Sequence, residues 1–254
     1  MNTKKELPFA IDFGTTKTCG AGWWNEKVEV VMNELDSKRL LAKEIDNSLI
    51  EKFKSQWTFE LKENRVNGNL CEYFVNDETE NLSPVFVNAK TLQYMQKSAE
   101  KRFEKEISSV VISIPIYFSF LQIKEIYDAA KLVNLDVTGF ITDTTATAIT
   151  YFEFQQRSKK NENVFVVDIG GGGFSIAIIK YNEHNYQTLA ASGSEKVGGR
   201  DFDYLIFEWM KEKLELEGMD TENLSQLRSQ KKRFKMVLQA NAVKEGLSVS
   251  PVTP

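Results

Sequence analysis

The sequence has few of the residues on which many catalytic and metal sites depend. It contains one histidine, His184, and two cysteines, Cys19 and Cys71, among 254 residues. A Ser-His-Asp triad and a histidine-based metal cluster are therefore nearly excluded, and two cysteines cannot form a disulfide framework. Because cysteine is scarce, a reducing compartment is favoured and a cytoplasmic location is expected.

Long apolar runs and an excess of basic charge are also missing. The chain begins without an apolar segment suited to a signal peptide or a membrane span, so no membrane partner is expected. The formal net charge is −4, and no basic footprint for nucleic acid is present, so no nucleic-acid partner is expected. With 42% hydrophobic and 27% charged residues, the composition is typical of an ordinary globular protein.

Apolar, β-branched runs alternate with helical patterns, which predicts an α/β or mixed architecture. The predicted strands are Phe9–Phe13, Lys27–Met32, Trp57–Leu61, Cys71–Val75, Val110–Ile114, Val164–Ile169, Phe174–Tyr181 and Tyr186–Ala191. The predicted helices are Thr91–Glu106, Leu121–Asn134, Asp201–Glu217 and Asn223–Glu245. The tail Leu247–Pro254 is expected to fray.

An internal similarity links two segments that lie 156 residues apart. Residues 9–18 read FAIDFGTTKT, and residues 165–174 read FVVDIGGGGF. Each pattern is a buried strand, an aspartate, an apolar residue, a glycine and a small-residue turn into another strand. The repeat predicts two related lobes.

Both turns are suited to binding phosphate. Glycine permits positive φ angles and close approach, and converging backbone N–H groups bind anions. The neighbouring Asp12 and Asp168 would repel bare phosphate, so a divalent cation such as Mg²⁺ is expected between them. Either turn alone could equally be a tight β-hairpin with glycines for geometry, but two matched copies favour a nucleotide site. Neither turn carries a Walker A loop or a G-x-G-x-x-G fingerprint.

Several segments in order resemble the Hsp70 chaperone family, a branch of the actin-like ATPases. Residues 10–16 and 166–174 resemble the two phosphate motifs of that family, and residues 110–118 and 139–148 resemble its connecting segments. Residues 197–203 resemble the glycine turn that opens a helix of the second lobe, and residues 36–40 resemble the segment that supplies a catalytic lysine.

The resemblance implies an α/β fold of the actin-like ATPase (ribonuclease H-like) type. Two pseudo-equivalent lobes with mixed sheets flanked by helices are expected, the second of them truncated. Lobe I would span residues 1–156, with a reduced peripheral subdomain around residues 33–90, and residues 157–254 would form a partial lobe II. A nucleotide-binding domain that is divergent and C-terminally incomplete is therefore expected.

The resemblance also implies roles for individual residues. The expected catalytic residues are Lys38, Asp12, Asp143, Asp168 and Thr15, and the three aspartates would hold Mg²⁺ through water. The expected contacts to ATP or ADP are Gly14, Thr15, Thr16, Lys17, Gly170, Gly171, Gly172, Gly198, Gly199, Lys244 and Ser248. Without the resemblance, Lys38 would be interpreted as a surface lysine and Asp143 as a helix N-cap.

The implied function is binding of Mg-ATP between two phosphate hairpins and its slow hydrolysis in chaperone-type protein folding and the stress response. A J-domain co-chaperone or a nucleotide-exchange factor is the implied protein partner. On this interpretation the chain is a weak ATPase that releases ADP and phosphate.

Departures from the family pattern leave alternatives open. Asp143 stands in place of a glutamate, and Gly173 and Ser175 interrupt a Thr-Phe-Asp pattern. These changes suit a degenerate, non-catalytic scaffold that docks a co-chaperone or another partner. A third alternative is a sugar kinase or a filament-forming relative of actin, which the segment from Pro115 to Phe118 disfavours.

Overall fold

A computed structural model groups the chain into two compact units. The described residues are 8–15, 17–24, 27–33, 38, 41, 60–64, 68–75, 78–154, 161–183, 185–219, 221 and 227–249. Unit 1 comprises Met1–Lys43 and Leu82–Lys196, and unit 2 comprises Glu44–Asn81 and Val197–Pro254. The boundary between lobes expected at residues 156–157 stays a prediction.

The described residues form eleven strands and five helices. The strands are β1 Phe9–Phe13, β2 Thr18–Trp24, β3 Lys27–Asn33, β4 Glu60–Asn64, β5 Gly68–Val75, β6 Glu78–Leu82, β7 Ser109–Ile114, β8 Asp136–Thr142, β9 Glu162–Ile169, β10 Phe174–Asn182 and β11 Asn185–Ser194. The helices are α1 Pro84–Phe103, α2 Phe120–Leu132, α3 Asp143–Phe154, α4 Gly199–Leu216 and α5 Leu227–Val249. None of these helices is both long and apolar enough to cross a bilayer.

The larger sheet of unit 1 is mixed, with the strand order β3-β2-β1-β7-β8. β1 pairs antiparallel with β2 and parallel with β7, which in turn pairs parallel with β8. Side chains alternate between the two faces of a strand. Phe9, Ile11 and Phe13 of β1 accordingly enter the core with α1 and α2, whereas Asp12 faces the other side.

The second sheet of unit 1 has the order β11-β10-β9 and is antiparallel throughout. Helix α3 packs on it through Ala148, which joins Val166, Ala177 and Ile179 in a small buried cluster. The helix follows directly after β8, so it connects the larger sheet to the smaller one along the chain.

Unit 2 holds a three-stranded sheet of order β4-β5-β6 and the two helices α4 and α5. The helices are joined by a buried polar contact. Asp203 of α4 is 5% exposed, and Nζ of Lys244 in α5 lies 2.6 Å from its Oδ1.

Most predicted elements are confirmed, with shifted ends. Helix α1 begins at Pro84, seven residues before the predicted Thr91, because Ser83 caps it by accepting a hydrogen bond from the N–H of Phe86. The strand predicted at residues 57–61 overlaps β4 at residues 60–61, and residues 57–59 lie outside the described chain. The expected fraying is wrong for residues 247–249, which belong to α5, and residues 250–254 are not described.

Candidate functional site

The first predicted phosphate turn joins β1 to β2. Asp12 lies near the end of β1 and pairs with Cys19 of β2. The turn is so tight that a Cβ on Gly14 would lie 2.1 Å from the backbone oxygen of Lys17. Only glycine fits there, as the sequence pattern requires. Thr16 lies outside the described residues.

The second predicted turn joins β9 to β10 and repeats the strand register of the first. Asp168 pairs with Ser175, so each aspartate faces the residue seven positions further along its hairpin. The N–H of Gly170 donates to the backbone oxygen of Gly173 at 2.9 Å and closes the turn. The similarity seen in the sequence is therefore a similarity of strand register, and the second turn is less tight, since a Cβ on Gly170 would lie 3.7 Å from the Gly173 oxygen.

Both turns open onto one cavity of about 970 Å³ within unit 1. Gly172 of the second turn lies directly against the side chain of Thr15 in the first. The predicted site residues that line the cavity are Asp12, Gly14, Thr15, Lys17, Lys38, Asp143, Asp168, Gly170, Gly171 and Gly172. The structure thus brings together two turns and three carboxylates from distant parts of the sequence.

The cavity environment disfavours charge on two of the carboxyl groups. Burial is the main cause that raises the pKa of Asp143, and the neighbouring Asp12 and Asp168 add to this, while Lys38 and a hydrogen bond from Ser113 act against it. Burial and Asp12 likewise raise the pKa of Asp168, and Lys38 lowers it. Shifts of this kind are frequent at functional sites.

Lys38 is the buried cation that faces these carboxylates. It is 5% exposed, so the interpretation as a surface lysine is wrong. Its Nζ lies 5.2 Å from the ring centre of Phe118 and 5.9 Å from that of Phe13. Burial lowers the pKa of Lys38, and Asp143, Asp12 and Asp168 each oppose that shift. The ammonium is therefore held against aromatic faces within electrostatic reach of all three aspartates.

The helix-cap interpretation of Asp143 is also corrected. The N–H of Thr145 donates to Oγ1 of Thr142 at 3.3 Å, so Thr142 caps α3 and Asp143 is its first residue. The Asp143 carboxylate is left for the cavity. Its buried Oδ1 has no hydrogen-bond partner within the described part of the chain.

One feature of the cavity fits a magnesium ion, namely the oxygen of Asp143 that lacks a partner among the described residues. An unpartnered buried carboxylate oxygen is costly unless something binds it, and Asp143 Oδ1 lies in a cavity with two further carboxylates. Mg²⁺ keeps several waters and uses one or two carboxylates together with phosphate oxygens. Across the described residues, no three His, Cys, Asp or Glu side chains are grouped closely enough to ligate one ion together.

Four predicted nucleotide contacts belong to unit 2, whereas the described lining of the cavity comes from unit 1. The N–H of Gly198 donates to Oδ2 of Asp201 at 2.8 Å at the start of α4. Lys244 pairs with Asp203 and donates to the backbone oxygen of Gly199 at 3.2 Å. The hydroxyl of Ser248 donates a hydrogen bond to the backbone oxygen of Lys244. Contacts of Gly198, Gly199, Lys244 and Ser248 with a nucleotide stay predictions.

Some cavity residues are missing from the sequence-based prediction, among them Cys19, Ser113 and Tyr117. Cys19 and Ser113 are the strand neighbours of Asp12, so knowledge of the pairing would have found them. Tyr117 lies where Gly173 and Gly193 leave space, since a Cβ on either glycine would meet its side chain. No local signal in the sequence shows that contact.

Comparison with known proteins places the chain in a family. The family model described as "Hsp70 protein" matches residues 35–253. The heat shock cognate HSP70 protein of Trypanosoma brucei brucei is 27% identical over 94% of this chain and 42% of its own length. Heat shock cognate 70 kDa protein 3 of Dictyostelium discoideum is 26% identical, over 76% of this chain and 36% of its own. A ribosome-associated molecular chaperone of Saccharomyces cerevisiae is 28% identical, over 90% and 43% respectively.

The mixed sheets flanked by helices, together with the family match, define an actin-like ATPase domain. The chain belongs to the Hsp70 family. It spans about two fifths of the length of these curated relatives, between 36% and 43%.

Proposed function

We propose that this chain binds Mg-ATP in the cavity between its two hairpin turns and hydrolyses it slowly, as part of a chaperone. The observation that carries the proposal is the convergence of both Asp-x-Gly turns, three aspartates and a buried lysine on one cavity. Turns of this kind present backbone N–H groups that bind phosphate oxygens. A cavity of about 970 Å³ also has room for a nucleoside triphosphate.

The charges in the cavity favour ATP with its metal over ATP alone. Asp12, Asp143 and Asp168 face the lysines Lys17 and Lys38, so negative groups outnumber positive ones among the described lining residues. A bare triphosphate would be repelled. When bound, magnesium would supply the positive charge that neutralises the phosphates and aligns them for attack by water.

The remaining roles fall to the residues of the chain. The N–H of Gly171 and the hydroxyl of Thr15 would hold phosphate oxygens, while the N–H of Gly170 donates to Gly173 and keeps the turn closed. Asp12 and Asp168 would orient the metal-bound waters and the attacking water. Lys38 would stabilise negative charge that develops during transfer. Burial lowers the pKa of Lys38 and the three aspartates oppose that shift. The lowered pKa reflects a site with little water, in which electrostatic interactions are strong.

Calorimetry with ATP tests the binding step. Wild-type protein is expected to bind ATP in excess Mg²⁺ and to bind it much more weakly in EDTA. Failure to bind at millimolar Mg-ATP would overturn the proposal. Phosphate release then tests turnover, for which Lys38→Met is expected to lower the rate at least about tenfold while changing affinity less.

Lys90→Met is the matched control, because Lys90 is an exposed lysine of α1 in the same unit. It is expected to leave both binding and turnover unchanged. Binding of ATP without turnover, unaltered by Lys38→Met, would instead assign the chain to the non-catalytic scaffold class.

The wider setting is proposed on the family alone. A J-domain co-chaperone or a nucleotide-exchange factor is the proposed protein partner, and the cytoplasm is the proposed location. Co-purification with a J-domain protein in the presence of ATP, compared with the Lys38→Met variant, tests the first of these.

A further inference from the structure

Ser113 occupies a position between two of the three cavity carboxylates. It lies on β7, which pairs with both β1 and β8, and its register partner on β1 is Asp12. On the other side, Ser113 pairs with Ile141 of β8, and Asp143 follows two residues later. The central strand of this three-strand segment therefore carries a hydroxyl flanked by one aspartate on each side.

The hydroxyl of Ser113 interacts with both carboxylates. Its Oγ donates to Oδ1 of Asp12 at 3.1 Å. Burial raises the pKa of Asp143, and a side-chain hydrogen bond from Ser113 opposes that rise. A serine hydroxyl has a single proton to donate, so it cannot fully satisfy two carboxylates at once. At any moment it therefore donates to only one of the two.

One of the carboxylate oxygens in the cavity has no partner within the described part of the chain. Oδ1 of Asp143 is buried and has no hydrogen-bond partner among the described residues. Ser113 itself contributes nothing to the core, because its neighbours Ile112 and Ile114 point to the core face and Ser113 lines the cavity. Its hydroxyl is therefore placed for the carboxylates and not for packing.

We propose that Ser113 is a positioning residue that holds the Asp12 and Asp143 carboxylates side by side, so that both can bind the water shell of one divalent cation. The hydroxyl would fix one carboxylate while the free oxygen of the other faces the cation. Residues that hydrogen-bond to metal-facing carboxylates orient them and typically alter metal affinity by about 10- to 100-fold when removed. This inference rests on the proposed function, because it concerns the metal that accompanies the nucleotide.

The test compares Ser113→Ala and Ser113→Thr by calorimetry of ATP binding over a series of Mg²⁺ concentrations. Ser113→Ala is expected to raise the Mg²⁺ concentration needed for half-maximal affinity about tenfold. Its affinity for ATP in EDTA should equal that of wild type. Ser113→Thr keeps the hydroxyl and is expected to restore the wild-type Mg²⁺ dependence, which a purely structural role would not require.

Thr138→Val is the matched control. Thr138 lies on β8 of the same sheet, and its hydroxyl donates to the backbone oxygen of Val110 at 3.2 Å, outside the cavity lining. Loss of that hydroxyl is expected to leave the Mg²⁺ dependence unchanged. If Ser113→Ala shows the same midpoint as wild type and Thr138→Val, the inference is wrong although the proposed function stands.

A second measurement tests the inference about Ser113 separately from the proposed ATP-binding function, because it needs no nucleotide. Mn²⁺ added without nucleotide and followed by electron paramagnetic resonance should bind the wild type more tightly than Ser113→Ala. If that difference appears while ATP fails to bind, the inference holds and the proposed function falls. Wild-type protein that binds neither ATP nor Mn²⁺ would overturn both.

Discussion

The side chain of Thr15 lies directly against the backbone of Gly172, so the two hairpin turns meet at this pair. A Cβ built on Gly172 would lie 2.3 Å from Oγ1, 2.6 Å from Cβ and 2.6 Å from Cγ2 of Thr15. Rotation of Thr15 would move two of these atoms, but its own Cβ cannot move without the backbone. Glycine at position 172 is therefore required by close approach of the two turns.

Gly172→Ala is accordingly expected to push the turns apart. The added methyl group should destabilise the folded state by about 1–3 kcal/mol, as overpacking usually does. It should also weaken Mg-ATP binding at least about tenfold, because the two sets of N–H donors no longer converge. Urea unfolding and calorimetry measure the two effects.

Gly139→Ala provides the control for this change. A Cβ at Gly139 on β8 would have no neighbour within 4 Å. Its stability is therefore expected to stay within about 0.5 kcal/mol of wild type. Equal losses of stability in the two variants would show that the contact with Thr15 does not require glycine at position 172.

The paired turns could be predicted from the sequence because their signal is local. A buried strand, an aspartate and a run of small residues specify a hairpin, and the repetition pairs one hairpin with the other. The burial of Lys38 could not be predicted in this way. It depends on Phe118, which lies far along the chain, whereas the charged residues beside Lys38 in sequence are typical of a surface.

Helix α3 shows a second limit of local patterns. Its first half contains Thr144, Thr145 and Thr147, which are β-branched residues that favour strands. The segment is helical because Thr142 caps it and Ala148 packs into a buried cluster with strand residues. Tertiary packing thus overrides propensity here, and it also frees Asp143 for the cavity.

Asp143 gives a prediction about pH. The pKa of this group is raised in the folded protein above its ordinary value of 3.8. Its protonated form therefore contributes stability that is fully present below about pH 3.8 and is lost as the pH rises through the folded-state pKa. Above that folded-state pKa, the ionised carboxylate lowers the stability of the protein without ligand.

Asp143→Asn replaces the ionised group with a neutral one of the same shape. At pH 7 it is expected to raise the free energy of unfolding by roughly 0.5–2 kcal/mol, as relief of a strained functional site often does. The gain should shrink as the pH falls toward 3.8, because the raised pKa favours protonation of the wild-type carboxyl over that range. Mg-ATP binding should weaken in the same variant.

Urea unfolding between pH 4 and pH 7 checks this dependence. Asp136→Asn serves as the control, because Asp136 is an exposed residue of β8 outside the cavity lining. A stability gain in Asp143→Asn that persists unchanged at the acid end would contradict the electrostatic explanation.

Lys244 gives a prediction about unit 2. Its Nζ lies 2.6 Å from Oδ1 of Asp203, and the side chains are 29% and 7% exposed. Among the described residues, Lys244→Met would leave the buried Asp203 carboxylate with the longer hydrogen bonds from Asn241, at 3.4 Å. The expected loss is about 1–3 kcal/mol, since an unpaired buried polar group keeps its desolvation cost.

Lys211→Met is the matched control within the same unit. Lys211 pairs with Glu215 at 3.6 Å on the surface of α4, with side chains 35% and 46% exposed. Exposed pairs of this type contribute about 0.3–0.5 kcal/mol. Thermal unfolding should therefore separate the two variants, and a similar small effect of both would show that the Asp203 contact is not a buried ion pair.

Gly173 stands where the family pattern has threonine, and the structure shows why restoring that residue alone should fail. A Cβ at this position would lie 2.3 Å from Oη of Tyr117 and 2.6 Å from the backbone oxygen of Ser194. The Tyr117 ring could move aside by a change of rotamer, but the Ser194 oxygen belongs to β11 and is fixed by the sheet. Gly173→Thr is thus expected to destabilise the chain by about 1–3 kcal/mol.

Two further variants serve as controls. Adding Tyr117→Phe to Gly173→Thr should not restore the free energy of unfolding. Gly139→Thr, which lies in open space on a strand, should lower the free energy of unfolding only slightly. If Gly173→Thr were as stable as Gly139→Thr and hydrolysed ATP faster than wild type, the glycine would be a simple loss of a catalytic hydroxyl and not an adaptation to the close approach of β11.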